Sequence, residues 1–229
     1  MTNNTAIVTG YSSGLGEAIA AHLLEIGWDI IGVSRYTEPE KLTSAYGKKI
    51  VSIHGSVDSD ETAQAAFSAA EKRGGPQILV NCAGQGVFGE IGSYSSQDIY
   101  GALQGNLVGL ILFSDYAVRA MREHGGAIVN IMSTAGKKLR PAESVYCGTK
   151  WGAKGYTRTL REAVKAQKLP IRVYEVYPCG MNTAFWGHAV RPVADRSVFP
   201  PPEPIAEAIV AEVLNGRAVY AQEITFERS

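Results

Sequence analysis

The chain has no excess of charge: 22 Lys and Arg face 22 Asp and Glu, so no net field draws it to nucleic acid or to an anionic membrane. Both classes of partner are excluded as expectations. Three cysteines, Cys82, Cys147 and Cys179, with no C-x-x-C pair, are too few and too scattered for a disulfide framework or a structural zinc site, and no metal is expected. No apolar run approaches the ~18 residues that span a bilayer, and Met1 to Thr5 carry neither the basic nor the apolar part of a secretory signal. A cytoplasmic protein is expected. No internal repeat and no linker divide the sequence, so residues 1–229 are read as one domain.

What is abundant is glycine, 25 of 229 residues or about 11%, against a usual ~7%. Around it, short β-branched runs alternate with longer stretches of helical period, the pattern of βαβ units feeding a parallel sheet. The runs are 5–9, 29–34, 50–53, 77–81, 127–132 and 171–177, with a more strictly alternating seventh at 218–226 suited to a sheet edge. Helices are expected near 14–26, 59–73, 96–121, 144–166 and 204–214. The fold class is therefore α/β, a doubly wound parallel sheet of about seven strands with helices on both faces. Residues 183–203 mix aromatic, basic and proline residues without period and are read as a lid over a site.

The first run leads directly into Thr9-Gly10-Tyr11-Ser12-Ser13-Gly14-Leu15-Gly16 at the opening of a helix. Glycines here allow a tight turn and a close approach of main-chain N–H groups to a pyrophosphate, and the helix start adds a positive dipole. Strand, turn and helix in this order give a dinucleotide site of Rossmann type; a glycine-rich turn without ligand is the alternative. The second run ends Ser34-Arg35, with no acid to bind a ribose 2′-hydroxyl and a cation placed to receive a 2′-phosphate. NADP(H) is thus expected over NAD(H). Arg35 as a solvated loop cation is the other reading. Asp29 begins the run and Glu38 lies well past its end, so neither restores an NAD site.

Asn81-Cys-Ala83-Gly84 closes the fourth run, Asn106 lies within a helix, Ser133 follows the fifth run, and Tyr146-x-x-x-Lys150 places two side chains on one helical face. With the glycine motif, these resemble the short-chain dehydrogenase/reductase family from about Thr5 to Thr183. The resemblance implies an NADP(H)-dependent oxidoreductase that moves a hydride between nicotinamide and a carbonyl or alcohol. Tyr146 would be the proton donor, Ser133 a second donor at the substrate oxygen, and Lys150 a ribose ligand that lowers the tyrosine pKa. Asn106 would hold a water linking Lys150 to solvent. Cofactor contacts are implied for Gly10, Ser12, Ser13, Gly14, Leu15, Gly16, Ser34, Arg35, Ser56, Val57, Asn81, Ala83, Gly84, Tyr146, Lys150, Pro178 and Thr183.

Two departures stand out. Ser56 occupies the position where the family places an adenine-binding Asp, and the usual Pro-Gly becomes Pro178-Cys179-Gly180. Substrate walls are expected at Phe88, Ser133, Tyr146, Phe185 and Trp186, with His188 beside them; Arg191 and Arg196 could meet an anion. Phe185 and Trp186 as mere anchors of the lid is an equal reading. Cys179 is a candidate accessible thiol in the cleft, small buried thiols being the alternative. The family resemblance further implies a homodimer or homotetramer built on the two long helices. A non-catalytic NADP(H) sensor on the same fold is the competing function. A methyltransferase lacks support.

Overall fold

The computed structural model describes residues 4–36, 38–187, 197–216 and 219–228. Seven parallel strands, β1 (Thr5–Thr9), β2 (Asp29–Ser34), β3 (Ile50–His54), β4 (Ile78–Asn81), β5 (Gly126–Ile131), β6 (Ile171–Tyr177) and β7 (Glu223–Thr225), form one sheet in the order β3-β2-β1-β4-β5-β6-β7. The order reverses between β1 and β4, and a crevice opens there beyond the carboxyl ends of the strands.

The strands are apolar on both faces because helices cover both. Ala6, Val8, Ile78, Val80, Val129, Tyr174 and Val176 point to one side, where α1 (Gly14–Glu25) and α7 (Glu203–Val213) pack. Ile7, Ile31, Leu79, Ile128 and Val173 point to the other, against α3 (Asp60–Glu71), α5 (Gly109–Met121) and α6 (Ser144–Ala166). The alternation of neighbours such as Ala6 and Ile7 between these two cores is the period of a strand.

Three details depart from the sequence expectation. A short helix, α2 (Glu40–Tyr46), lies between β2 and β3; its seven residues bury only Leu42 and no side chain caps its start, so it leaves no periodic signal. The helix expected over 96–121 is broken: α4 (Ser96–Leu103), closed at its start by a Ser95–Asp98 capping box, passes through a π-helical turn at Gln104–Val108 before α5 begins. The seventh strand is three residues long, pairing Glu175 to Tyr177 with Glu223 to Thr225; of the expected run, Ala218 lies outside the described residues, and 219–222 and Phe226 are not strand.

That edge is held by charge. Glu175, fully buried, meets Arg161 at 3.0 Å and Arg158 at 3.2 Å and accepts the Tyr177 hydroxyl at 2.7 Å, while Arg158 also reaches Glu223 at 2.9 Å. Removing either arginine would leave a buried carboxylate undercompensated. No helix among the described residues is long and apolar enough to cross a membrane.

Candidate functional site

A cleft of about 970 Å³ runs along the carboxyl ends of the strands. Its first wall is the turn after β1. Gly10 (φ +69°) and Gly14 (φ +59°) adopt left-handed backbone, and a Cβ on Gly16 would lie 2.2 Å from the Gly10 carbonyl oxygen. The turn is therefore as tight as main chain permits. Ser13 stands at the start of α1 without capping it, so no side chain takes up the N–H donors of that helix end. The Gly10 N–H donates to the Val33 carbonyl at 2.8 Å, fixing the turn to β2.

Beyond this wall Ser34 donates to Ser12 at 2.8 Å and accepts the Tyr36 N–H at 3.0 Å, and Arg35 is exposed with its guanidinium over the Tyr36 ring. Asp29 sits at the far end of β2, paired with Arg73 at 2.5 Å, and Glu38 faces His54 at 3.7 Å. Ser56 donates to Asp58, and both line the cleft beside Val57. The carboxylate missing at position 56 is thus brought back two residues later.

The floor carries Ser133, Tyr146 and Lys150. Ser133 follows β5, and α6 brings Tyr146 and Lys150 onto one face, both buried at 6% and 4% exposure. The Ser133 hydroxyl, which accepts the Ala135 N–H at 3.1 Å, pulls the pKa of the neighbouring Tyr146 phenol down, but burial is the larger influence and pushes it above the ordinary range. Lys150, expected to lower the phenol, is turned elsewhere: its ammonium donates to the Ile131 carbonyl at 3.1 Å and stands 5.8 Å from the Tyr146 ring centre. Burial also brings Lys150 itself down to about 8. The phenol is accordingly a protonated donor over the whole neutral range.

Of the remaining expected residues, Ala83, Gly84, Pro178 and Thr183 line the cleft with Phe88, Phe185 and Trp186. Thr183 lies against the glycine turn, its Cβ 3.1 Å from where a Cβ on Gly14 would stand. Asn81 and Asn106 do not line it. Asn81 donates to Asn130 at 2.8 Å and Ser114 at 3.0 Å, and Asn130 donates to Thr157 at 2.9 Å, a buried chain that ties β4 to α5 and, through β5, to α6. Asn106, at the π-helical turn, accepts the Gln85 N–H at 2.7 Å and donates to the Gln85 carbonyl at 2.9 Å and to Thr149 at 3.1 Å. Its carboxamide clamps the loop after β4 onto α6. His188, Arg191 and Arg196 lie outside the described residues.

Sequence reasoning passed over several residues. Thr9 accepts the N–H groups of Cys82 and Ala83, each at 3.1 Å, and so joins β1 to the loop after β4 across the sheet's reversal. Tyr11 is buried, its hydroxyl 2.6 Å from Ser52 and its ring filling the space that a Cβ on Gly32 would need. Gly180 explains the displaced glycine: a Cβ there would stand 2.9 Å from the Phe199 ring. Arg140, Phe199 and Arg228 also reach the cleft. The thiols are free; Cys82 and Cys179 line the cleft, and burial pushes Cys82 up to about 12.

The cradle of left-handed glycines, the uncapped helix start and a cleft of this volume fit a dinucleotide: donors for a pyrophosphate at one end, and hydroxyl groups at the other. Among the described residues no cluster of His, Cys, Asp or Glu could hold a metal ion.

Known proteins resemble this chain in sequence and fold. Residues 4–192 match the family model of the short chain dehydrogenases. Carbonyl reductase family member 4 of Danio rerio is 34% identical over 90% of this chain and 89% of its own, and the 3-oxoacyl-[acyl-carrier-protein] reductase of Mus musculus is 33% identical over 79% and 77%. Among solved structures, a short-chain dehydrogenase/reductase from Vibrio parahaemolyticus superposes with a TM-score of 0.84 at 27% identity, covering 98% of this chain and 96% of that one. An alcohol dehydrogenase from Thermococcus sibiricus, complexed with 5-hydroxy-NADP, shares the fold with a TM-score of 0.86 at 24% identity, over 99% and 98%. With the model matched over most of its length, the chain belongs to the short-chain dehydrogenase family of oxidoreductases.

Proposed function

We propose that the protein is an NADP(H)-dependent oxidoreductase that interconverts an alcohol and a ketone or aldehyde. The observation that carries this reading is the pair of hydroxyl-bearing residues, Ser133 and Tyr146, brought together in the lining of one cleft with Lys150 one helical turn from the tyrosine. A carbonyl oxygen placed between them would accept two hydrogen bonds that strengthen as negative charge develops. A nicotinamide cofactor, where bound in the cleft, would supply the hydride. Tyr146, kept protonated by burial, delivers the proton to the oxygen, and Ser133 stabilises the tyrosinate that remains.

Gly10, Ser13, Gly14, Leu15 and Gly16 would hold the pyrophosphate, Ala83 and Gly84 would border a ribose, and Pro178 and Thr183 would stand at the nicotinamide. Ser12, Ser34 and Arg35 offer two hydroxyls and a cation to a 2′-phosphate, with no carboxylate at the end of β2 to prefer a free ribose. Ser56, whose proton is engaged by Asp58, keeps lone pairs for the adenine amino group. Asn106 acts by holding the loop that carries Gly84. Carbonyl reductase family member 4, by its name, is a carbonyl-reducing relative, which supports the substrate class.

An oligomer is part of the proposal. Tyr100, Val108 and Trp151 expose 64%, 43% and 43% of their surfaces on α4, the turn that follows it and α6, an apolar area that a second copy would cover. Sedimentation showing only monomer at working concentration would remove it. Three free cysteines accord with the reducing cytoplasm in which we place the protein.

The test is NADPH consumption against a panel of aldehydes and ketones, run beside Tyr146→Phe. Turnover that disappears in the variant while NADPH still binds is expected. Absence of turnover on every compound, with NADPH bound, would instead favour a non-catalytic sensor.

A further inference from the structure

The substrate end of the cleft is floored by a continuous run of rings. Phe88 stands edge-on to Tyr146 with centroids 5.6 Å apart and stacks on Trp186 at 5.6 Å and 28°. Trp186 stacks in turn on Phe199 at 5.0 Å and 21°, and the Arg228 guanidinium lies 5.2 Å from the Phe199 ring centre. The run is fixed in place: the Trp186 indole N–H donates to the Met181 carbonyl at 2.7 Å, and glycines stand where side chains would collide with it. A Cβ on Gly86 would be 2.8 Å from Phe88, and one on Gly180 would be 2.9 Å from Phe199. Rings stacked on one another in this way turn their edges to the cleft and make an apolar wall suited to an apolar body. One end of the wall is the phenol at the reacting centre; the other is a guanidinium.

The charges at this end are unequally matched. Arg140 is paired with Glu143 at 3.1 Å and donates to Thr134, and the Lys150 ammonium is given to the Ile131 carbonyl. Glu227, the neighbour of Arg228, turns to Lys138 at 3.4 Å and does not line the main cleft. Among the described residues Arg228 has no carboxylate partner; its contact is the ring of Phe199. An arginine in that position keeps its five donors for an incoming anion, while its contact with the ring holds the guanidinium at this end of the cleft.

We infer that the substrate is a carbonyl compound with an apolar body and an anionic group, the carbonyl meeting Ser133 and Tyr146, the body lying along the wall of Phe88, Trp186 and Phe199, and the anion meeting Arg228. This rests on the oxidoreductase reading above and narrows its substrate class. Arg228 is exposed, and its replacement is expected to leave the fold intact.

The experiment compares matched acids and methyl esters of increasing reach: 4-formylbenzoate, 4-formylcinnamate and 4′-formylbiphenyl-4-carboxylate, each against its ester, in the NADPH-loaded wild type, Arg228→Gln and Arg228→Lys. At least one acid is expected to have a KM about tenfold below that of its ester. Arg228→Gln should raise that KM about tenfold with kcat and the ester's KM unchanged, and Arg228→Lys should recover part of the loss. Equal KM for acid and ester throughout the wild-type series, or an equal effect of Arg228→Gln on both, would overturn the assignment. If no aldehyde is reduced at all, the oxidoreductase reading fails separately, and binding decides the anion site. Calorimetric titration with biphenyl-4-carboxylate and biphenyl-4-carboxamide should then show a preference for the acid that Arg228→Gln abolishes; no preference, or one that survives the substitution, rejects it.

Discussion

At one end of the cleft the wall is main chain, with Gly10, Gly14 and Gly16 baring N–H groups at the start of a helix; at the other it is side chains, the rings of Phe88, Trp186 and Phe199 with Arg228 beyond them. The first end is local in sequence, seven residues from Gly10 to Gly16, and any residue larger than glycine obstructs it. The second draws on four separate parts of the chain, and its rings can be exchanged one by one. A backbone site suits a ligand that never changes; a side-chain site suits one on which specificity is tuned.

If that contrast is sound, substitutions at the two ends should separate in kind. The largest effect is expected from Gly16→Val. Its first added carbon meets the Gly10 carbonyl oxygen at 2.2 Å, so the turn must open, with a loss of about 3 kcal/mol or more in stability and of detectable NADPH binding. Thermal unfolding with and without NADPH checks both; a variant that still gains stability from NADPH would contradict a rigid main-chain cradle.

Next comes Arg35→Ala, which on the proposed binding of the 2′-phosphate would remove a charge-assisted contact worth about 1.5–3 kcal/mol and should weaken NADPH binding by roughly ten- to a hundredfold while NADH binding stays level. Fluorescence titration with both nucleotides distinguishes this from a general loss. An unchanged NADPH affinity would take Arg35 out of the site.

Trp186→Ala is expected to act on the other side alone. The KM for an aryl aldehyde should rise about tenfold through lost ring contact, with the NADPH dissociation constant unaltered. A change in cofactor affinity would show that the two ends are coupled.

The smallest effect is a pH dependence. Lys150 titrates at about 8 in the folded protein against 10.5 in an unfolded chain, so between those values the unfolded state holds the extra proton and stability rises with pH. Tyr146, raised above its ordinary 10.0, keeps its proton when folded and reverses the trend above that pH. From pH 8 to 10 the unliganded wild type should gain melting temperature relative to Lys150→Met by a few degrees. Parallel profiles would mean that burial does not depress the lysine.

The same contrast explains what could be read before the structure. Strands over Thr5–Thr9, Asp29–Ser34 and Ile171–Tyr177 begin and end where the apolar runs do, because a strand buried on both faces writes its whole length in β-branched and aromatic residues. The glycine turn was legible for the same reason, being set by neighbours in sequence. Tyr11 was not: nothing local says that its ring lies against Gly32 or that its hydroxyl meets Ser52. Asn81 and Asn106 stand where the family pattern leads one to look, but their partners, Ser114, Asn130 and Gln85, are chosen by packing. Arg228 gave no signal at all, since an exposed arginine acquires meaning only from Phe199 beside it.

The π-helical turn at Gln104–Val108 can be regarded as one residue more than a regular helix needs. Excising Gly105 would let α4 and α5 fuse into an unbroken rod with better hydrogen-bond geometry, and by local criteria the helix would improve. Yet every residue N-terminal to the excision would turn by about 100° relative to those beyond it. Asn106 could then keep its hold on Gln85 only if the Ser96–Leu103 segment swung away from α6, or keep that packing only by letting the loop go. The surplus residue is a phase correction: it lets one helix face two directions, the body of the protein and the loop over its cleft.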